Sequence, residues 1–459
     1  MTVKGGRLEL LAPHLLRSQL LRRRFVQMSL KLGVARQMPG WAKLQFLNGG
    51  VTSRDLERVL GRVTSLESWV DEWESLGREQ EAAARRALGF DQRGEARDLF
   101  LAASASYNFA QYVVFMDLDR KRSLHEACVN AYAQTAPLFD PPARPFEVPY
   151  RRRSMRGYLR VPPGGAPAPV VVMFNGTNAV KEELHWWSEA LLARGLATVI
   201  FDGPGLGETF YRLSMVAEPR LVGLAVVNEL QSRAELDTEA IGMFGQSLGG
   251  YLAIRMAAFD SRVRAVAAVS PPFSAEVYWN VTLVHMRREL AQLYGMAEAE
   301  MGREIHRITL NQALPHLRCP LMISGGGHDL VTPGEEAWRI FDAARCEREL
   351  AYYPRGAHDC FNVLGDLRPR MASWLARQLQ HHRSRSRRPH LVADANGHGA
   401  QLAAEAVDAD FAEALSGEQE PRRWNAPERP ALPARWRPFS VAGDERVEVV
   451  LRQAAASGL

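Results

Sequence analysis

The chain has 459 residues, of which 46% are hydrophobic and 24% charged, with a formal net charge of +5. That balance belongs to folded globular protein and excludes a disordered or membrane-spanning chain. The charge is small for the length, and the arginine runs (Arg17 with Arg22, Arg23 and Arg24, and residues 383–388) read as solvated surface or linker, so neither a nucleic-acid nor a membrane partner is expected.

No apolar run approaches the roughly 18 residues that cross a bilayer, and the start lacks the short apolar core of a signal peptide, so a cytoplasmic protein is expected. Cys128, Cys319, Cys346 and Cys360 are scattered, without a CxxC pair or zinc-ligand spacing. Free, idle thiols and no metal are the expectation.

From Leu8 to about Leu138 the pattern is helical, as at Ala82 to Leu88 and Glu95 to Phe115, where apolar residues recur at helical spacing around Leu99, Phe100, Tyr107, Ala110 and Val114. Residues 1–140 are read as a helical amino-terminal or lid domain. After Pro141 and Pro142 the texture changes to an alternating VPYRRRSMRGYLRVP, which predicts two antiparallel edge strands. A regular alternation follows. Strands are predicted at Pro169 to Phe174, Ala197 to Phe201, Ile241 to Gly245, Val263 to Val269, Pro320 to Gly325 and Glu349 to Tyr353. Helices are predicted at Lys181 to Arg194, Leu221 to Arg233 and Leu248 to Phe259. Continuous apolar strands alternating with helices mean an α/β domain, here residues 141–383, with a mostly parallel sheet covered on both faces. Between Ser270 and Cys319 the alternation breaks, and residues 271–317 read as a helical insertion over the carboxyl edge of the sheet, where open α/β folds bind ligands. Residues 384–459 are polar, alanine-rich and proline-rich, and read as a flexible tail with at most a weak helix around Leu402 to Leu415.

The string Gly245-Gln246-Ser247-Leu248-Gly249 stands between a predicted strand and a predicted helix. That is where a nucleophile elbow needs its glycines, since the chain turns sharply and neighbouring segments would otherwise collide. A serine hydroxyl needs a base beside it and a carboxylate to orient that base, in the chain order Ser, acid, His for this fold. Asp329 follows one late strand and His358 follows the next, so both should reach the sheet edge that carries Ser247. His328 and Asp359 are each one position away and are the alternatives; substitution of either is expected to be mild. For the oxyanion, one donor is the backbone N–H of Leu248, and the second is expected from the loop 175–178 as the Thr177 N–H, with Gly176 supplying backbone freedom. The glycine-rich DGPGLGET at 202–209 lacks the GK[ST] of a phosphate loop and reads as a tight strand-to-helix connection bordering the site.

These motifs give the α/β-hydrolase fold. The run NGTNAVKEELHWWSEALLARGLATVIFDGPGLGET, then GQSLGGYLA and the acid and histidine loops, resembles the branch of α/β-hydrolases that contains 2,6-dihydroxypseudooxynicotine hydrolase, fungal polyketide-shortening hydrolases and fermentation-respiration switch esterases. The resemblance spans residues 85–380, and FLAASASYNFAQY is similar to that branch's helical lid segment. It implies Ser247, Asp329 and His358 as the triad, and cleavage of a carbon–carbon bond in a β-dicarbonyl compound or of an ester. It also implies an acidic substrate-positioning residue after the sixth strand, for which Glu276 is the nearest candidate, with a surface carboxylate the more natural reading of that residue. The chain departs from the branch at Asn175, where glycine is common, and in the long tail.

The expectation is therefore a serine hydrolase without metal or organic cofactor, acting on a small hydrophobic or aromatic carbonyl substrate, with a homodimer left open. Its pocket should lie among the sheet edge, the insertion and the helical region, with Phe273, Tyr278 and Trp279 as aromatic lining. Carbon–carbon cleavage is the first reading and ester hydrolysis or acyl transfer the second. A binding module that only keeps the fold is the third, and direct attack by a His358-activated water is a variant of the first two.

Overall fold

The computed structural model describes residues 35, 38, 40–216, 218–280, 284–386 and 449–453. The expectations for residues 1–34 and for a helix at 402–415 lie outside these.

The amino-terminal part is built of α1 (Gly40–Asn48), α2 (Ser53–Arg62), α3 (Leu66–Gly89), α4 (Arg93–Gln111) and α5 (Leu118–Thr135). Side-chain caps fix where several begin: Thr52 accepts from the Asp55 N–H, Ser65 and Ser68 exchange bonds in a capping box, and Asp117 accepts from the Arg120 N–H. The helices are held together by aromatic packing, with the buried Trp73 ring 5.5 Å from Phe46 and 5.3 Å from Phe109, and the Trp69 indole N–H donating to the Phe109 carbonyl at 2.8 Å. The helix expected at 82–88 is the end of α3, whose earlier turns carry Trp69 and Trp73.

The α/β part follows as β1 (Arg144–Tyr150), β2 (Arg153–Arg160), β3 (Ala168–Phe174), α6 (His185–Leu192), β4 (Ala197–Phe201), α7 (Arg220–Gln231), β5 (Leu236–Gln246), α8 (Leu248–Ala258) and β6 (Val263–Val269). The insertion contributes α9 (Glu276–Asn280), α10 (Val284–Leu293) and α11 (Glu298–Glu304), with a single isolated bridge, Ser274 to Thr309, among its described residues. Then come β7 (Leu321–Gly326), α12 (Gly334–Ala343), β8 (Arg348–Tyr353) and α13 (Leu364–Ser386). The strand order is β1-β2-β4-β3-β5-β6-β7-β8-β9, where β9 is Val449–Gln453. Neighbours from β4 to β8 pair in parallel, whereas β1 with β2, β2 with β4 and β8 with β9 are antiparallel.

Every residue of β3, β4 and β7 is buried, which is why these strands read as unbroken apolar runs rather than alternating ones. One core cluster lies on each face of the sheet, the first including Val170, Val172, Met243 and Ile254, the second Val171, Met173, Phe244 and Leu375. β9 differs from the expectation for the tail. Its Val449-Val450-Leu451 is strand-forming sequence, and it covers the open edge of β8.

The aromatic cluster of the helical part makes its own stability measurable. Trp73→Ala should cost about 4 kcal/mol of unfolding free energy, the range for removing a buried tryptophan, as read by chemical denaturation of the full chain. A loss well under 1 kcal/mol contradicts this packing.

Candidate active site

The elbow is built on steric necessity. Ser247 has φ 51° and ψ −122°, and a methyl group on Gly245 would lie 2.2 Å from the Gly249 backbone, while one on Gly249 would lie 2.3 Å from the Phe174 carbonyl oxygen. Glycines two before and two after are the residues that let β5 pass into α8 so abruptly. The Ser247 N–H donates to Val269 O at 2.8 Å, which pins the elbow to the end of β6. Leu248 opens α8, so its N–H has no acceptor within the helix.

The loops after β7 and β8 are bound to each other. Gly327 N–H donates to Tyr353 O and His328 N–H to Gly356 O, both at 2.9 Å. Asp329 is thereby delivered to His358: the imidazole Nδ1 lies 2.9 Å from Oδ2 and 3.0 Å from Oδ1. Oδ1 also accepts from Val331 N–H at 2.8 Å and Thr332 N–H at 2.7 Å. Held this way, the carboxylate is rigid and faces one side of the ring. His328 is exposed. Asp359 takes a left-handed backbone turn with φ 52°, and its Oδ2 lies 3.7 Å from His358 Nε2, on the ring's other nitrogen.

The imidazole is strongly perturbed. Partial burial works to lower its pKa, but the charges of Asp329 and then Asp359, with the Asp329 hydrogen bond, outweigh it and raise the value to about 9. Burial pushes Asp359 up to about 6, opposed by the His358 charge and aided by that of Asp329. A cavity of about 90 Å³, lined in part by Asn108, Glu183, Trp186 and Gln246, borders Asp359 and has room for several water molecules.

The loop after β3 runs beside Ser247: a methyl group on Gly176 would lie 3.2 Å from its Cβ and 3.8 Å from its Oγ. The buried Thr177 hydroxyl has no hydrogen-bond partner among the described residues. Asn175 does not face the nucleophile; its Nδ2 donates to Ala179 O at 2.7 Å and to Asp202 Oδ1 at 3.2 Å, closing the loop on itself. The helical part seats the same loop from outside, since Gln111 donates to Asn178 O at 3.0 Å and Lys121 Nζ donates to Asn178 Oδ1 at 2.6 Å. Beneath it lies the buried Lys181 ammonium, 2.7 Å from Glu208, 2.8 Å from Glu182 and 3.2 Å from Asp202. One cation cannot balance three carboxylates, and Glu182 accordingly rises to about 7 through burial, opposed by Lys181. The KEE and DGPG strings are thus the two halves of this buried ionic joint.

Of the three substrate-binding candidates, two are altered. Glu276 is exposed and bonds to Ser274 at 3.3 Å, so it is a surface carboxylate rather than a group facing the nucleophile. The Trp279 ring packs on Gly302, and the Arg287 guanidinium stands 5.4 Å from its centre, which places it in the insertion's own packing. Tyr278 alone of the three reaches the site, with its hydroxyl 3.0 Å from Ser247 Oγ. Among the described residues no hydrogen bond joins Ser247 to His358; the serine hydroxyl is turned to Tyr278 instead. The importance of Tyr278 was reachable only as a general aromatic signal in SPPFSAEVYWN, because a five-residue helix gives too little periodicity to say which side chain turns inward.

Comparison with known proteins covers the helical part and the sheet together. A family model described as esterase FrsA-like matches residues 52–299. Over 345 residues the chain is 31% identical to the 2,6-dihydropseudooxynicotine hydrolase of Paenarthrobacter nicotinovorans, covering 74% of this chain and 91% of that one. It is 25% identical over 355 residues to the hydrolyase poxO of Penicillium oxalicum, covering 64% of this chain and 83% of the relative. The crystal structure of 2,6-dihydroxy-pseudo-oxynicotine hydrolase matches with a TM-score of 0.68 at 29% identity, over 73% of this chain and 95% of that one.

The carboxylate on each side of His358 gives a pH signature. An imidazole must be neutral to accept a proton, so kcat/KM should rise with pH through a limb near 9, the value to which His358 is raised. Asp359→Asn removes one of the two raising charges and should move that limb to lower pH by about 0.7 unit or more, since a unit charge near 4 Å is worth about 1 kcal/mol even in water. Asparagine also tolerates the left-handed turn. A pH–rate profile unchanged by the substitution contradicts this reading, as does one displaced upward.

Proposed function

Since the chain belongs to the FrsA-like esterase family and is a hydrolase of the α/β-hydrolase fold, we propose that it is a serine hydrolase that cleaves a carbon–carbon bond in a β-diketone, polyketide-like or aromatic ketone substrate. The observation that carries the reading is the Asp329–His358 pair, with Nδ1 to Oδ2 at 2.9 Å, at the sheet edge that also carries the strained Ser247.

Ser247 turns about its Cα–Cβ bond from Tyr278 to His358 Nε2, which takes the hydroxyl proton as Oγ attacks the carbonyl carbon. The oxyanion is held by the N–H groups of Leu248 and Thr177, the second supplied by the loop that lies against Ser247. Collapse of the tetrahedral adduct breaks the carbon–carbon bond, its electron pair leaves as an enolate, and the proton on His358 passes to the carbon. Water then attacks the acyl-enzyme; His358 takes a water proton and returns it to Ser247 Oγ, and the carboxylic acid departs. Asp329 keeps its charge throughout and orients the ring. An imidazolium whose pKa is raised to about 9 holds its proton through the collapse step, which suits delivery to carbon. An acidic substrate-positioning residue is no part of this account, because Glu276 faces outward.

Ester hydrolysis is the second reading, favoured by the esterase description of the family model. The two separate on substrates: turnover of a 1,3-diketone such as benzoylacetone supports carbon–carbon cleavage, whereas turnover of phenyl esters with none of the diketone selects the esterase. For either substrate, Ser247→Ala and His358→Ala should each lower kcat by about 10⁴-fold or more. Near-normal turnover by either variant, on folded protein, rules out the proposed catalyst.

A further inference from the structure

Tyr278 is a buried group pressed on the nucleophile, and the steps above leave it unused. Its hydroxyl lies 3.0 Å from Ser247 Oγ, and the Thr332 hydroxyl donates to its oxygen at 3.4 Å. Thr332 belongs to the acid loop, where its N–H donates to Asp329 at 2.7 Å. A phenol oxygen that accepts from Thr332 has its own hydrogen left to donate, and the nearest acceptor is the atom that attacks the substrate. Burial pushes the Tyr278 phenol well above its ordinary range, so it remains a neutral donor.

Its position is as informative as its chemistry. β5 lies between β3 and β6 in the sheet, the loop carrying Gly176 and Thr177 leaves β3, and Tyr278 lies in the segment that follows β6. The oxyanion amides and the phenol therefore reach Ser247 from opposite sides. The oxygen of the attacked carbonyl goes to the amides, and whatever the phenol meets is another part of the substrate. That part must be a hydrogen-bond acceptor, because a neutral phenol facing apolar surface here would lose its bond to Ser247 on substrate binding and receive nothing in exchange.

Resting on the carbon–carbon reading above, we propose that Tyr278 is a catalytic residue that donates its hydrogen bond to the second carbonyl oxygen of a 1,3-dicarbonyl substrate. When the carbon–carbon bond breaks, its electron pair spreads onto this oxygen as the enolate forms. The Tyr278 hydrogen bond strengthens at that moment, the His358 proton goes to the carbon, and the phenol keeps its own proton. In a simple ester the charge gathers on the departing oxygen itself, which takes its proton from His358, and there is no further carbonyl oxygen for the phenol to meet.

The test compares Tyr278→Phe with wild type on benzoylacetone and on phenyl acetate. On the diketone kcat should fall by about 100-fold, the usual loss for one donor to a developing oxyanion, with KM changed by no more than about three-fold. On the ester the loss should be at least about ten-fold smaller than on the diketone, and an unchanged circular-dichroism spectrum and melting temperature report an intact fold. Thr332→Val, which frees the phenol without removing it, should show the same selectivity with a loss of about ten-fold. Equal losses on both substrates, or no loss on the diketone, overturn the role of Tyr278 while leaving the hydrolase reading intact. A wild type that consumes the ester and leaves benzoylacetone untouched removes the carbon–carbon reading itself, and this proposal with it.

Discussion

The contact between Asp329 and His358 Nδ1 is the one on which the rest of the site depends. It fixes which ring nitrogen faces the carboxylate and so which is left free of it, and it favours a positive charge on the ring. That contact exists because β7 and β8 are parallel neighbours whose following loops leave the same sheet edge and bond to each other. A parallel sheet gathers residues distant in sequence at its carboxyl ends. Here it collects Ser247 after β5, the Gly176 loop after β3, and the two late loops.

Around this pair the protein invests buried charge in holding backbone still. The Lys181 ammonium joins the turn after β3 to the loop after β4, and Asp202 in turn binds Asn175 at 3.2 Å. A buried ion pair adds little net stability, but its geometry is specific. From the other side, α4 and α5 reach the same loop through Gln111 and Lys121, and Glu183 accepts from Asn108 and Tyr112, both at 2.8 Å. The helical part is therefore a brace for the loop that would bind the oxyanion as well as a cover over the sheet. Change in those helices should be felt in chemistry through the position of Thr177.

Much of the fold was readable before any coordinates because β3, β4 and β7 are buried along their whole length and leave no polar residues to blur their limits. The elbow was equally plain, since only glycine satisfies the contacts at Gly245 and Gly249. Asp329 and His358 could be named from chain order and strand ends. What stayed hidden depends on side-chain direction or on distant pairing. Tyr278 faces the serine and Glu276, two residues earlier, faces out, a difference set by about half a turn of α9. Asp359 looked like a spare carboxylate, yet its left-handed turn brings it to the reactive side of His358. β9 lies beyond a long polar stretch, and a five-residue strand that pairs across so large a gap in sequence leaves no periodic trace.

The central claim is that Ser247 is made nucleophilic by His358. It is tested most directly by exposing the full chain to a fluorophosphonate, digesting it and locating the adduct by mass spectrometry. The account predicts one phosphonylated site, Ser247, formed rapidly in wild type and slowed by orders of magnitude in His358→Ala. An unlabelled Ser247 in folded protein, or labelling that proceeds as fast without the imidazole, contradicts it.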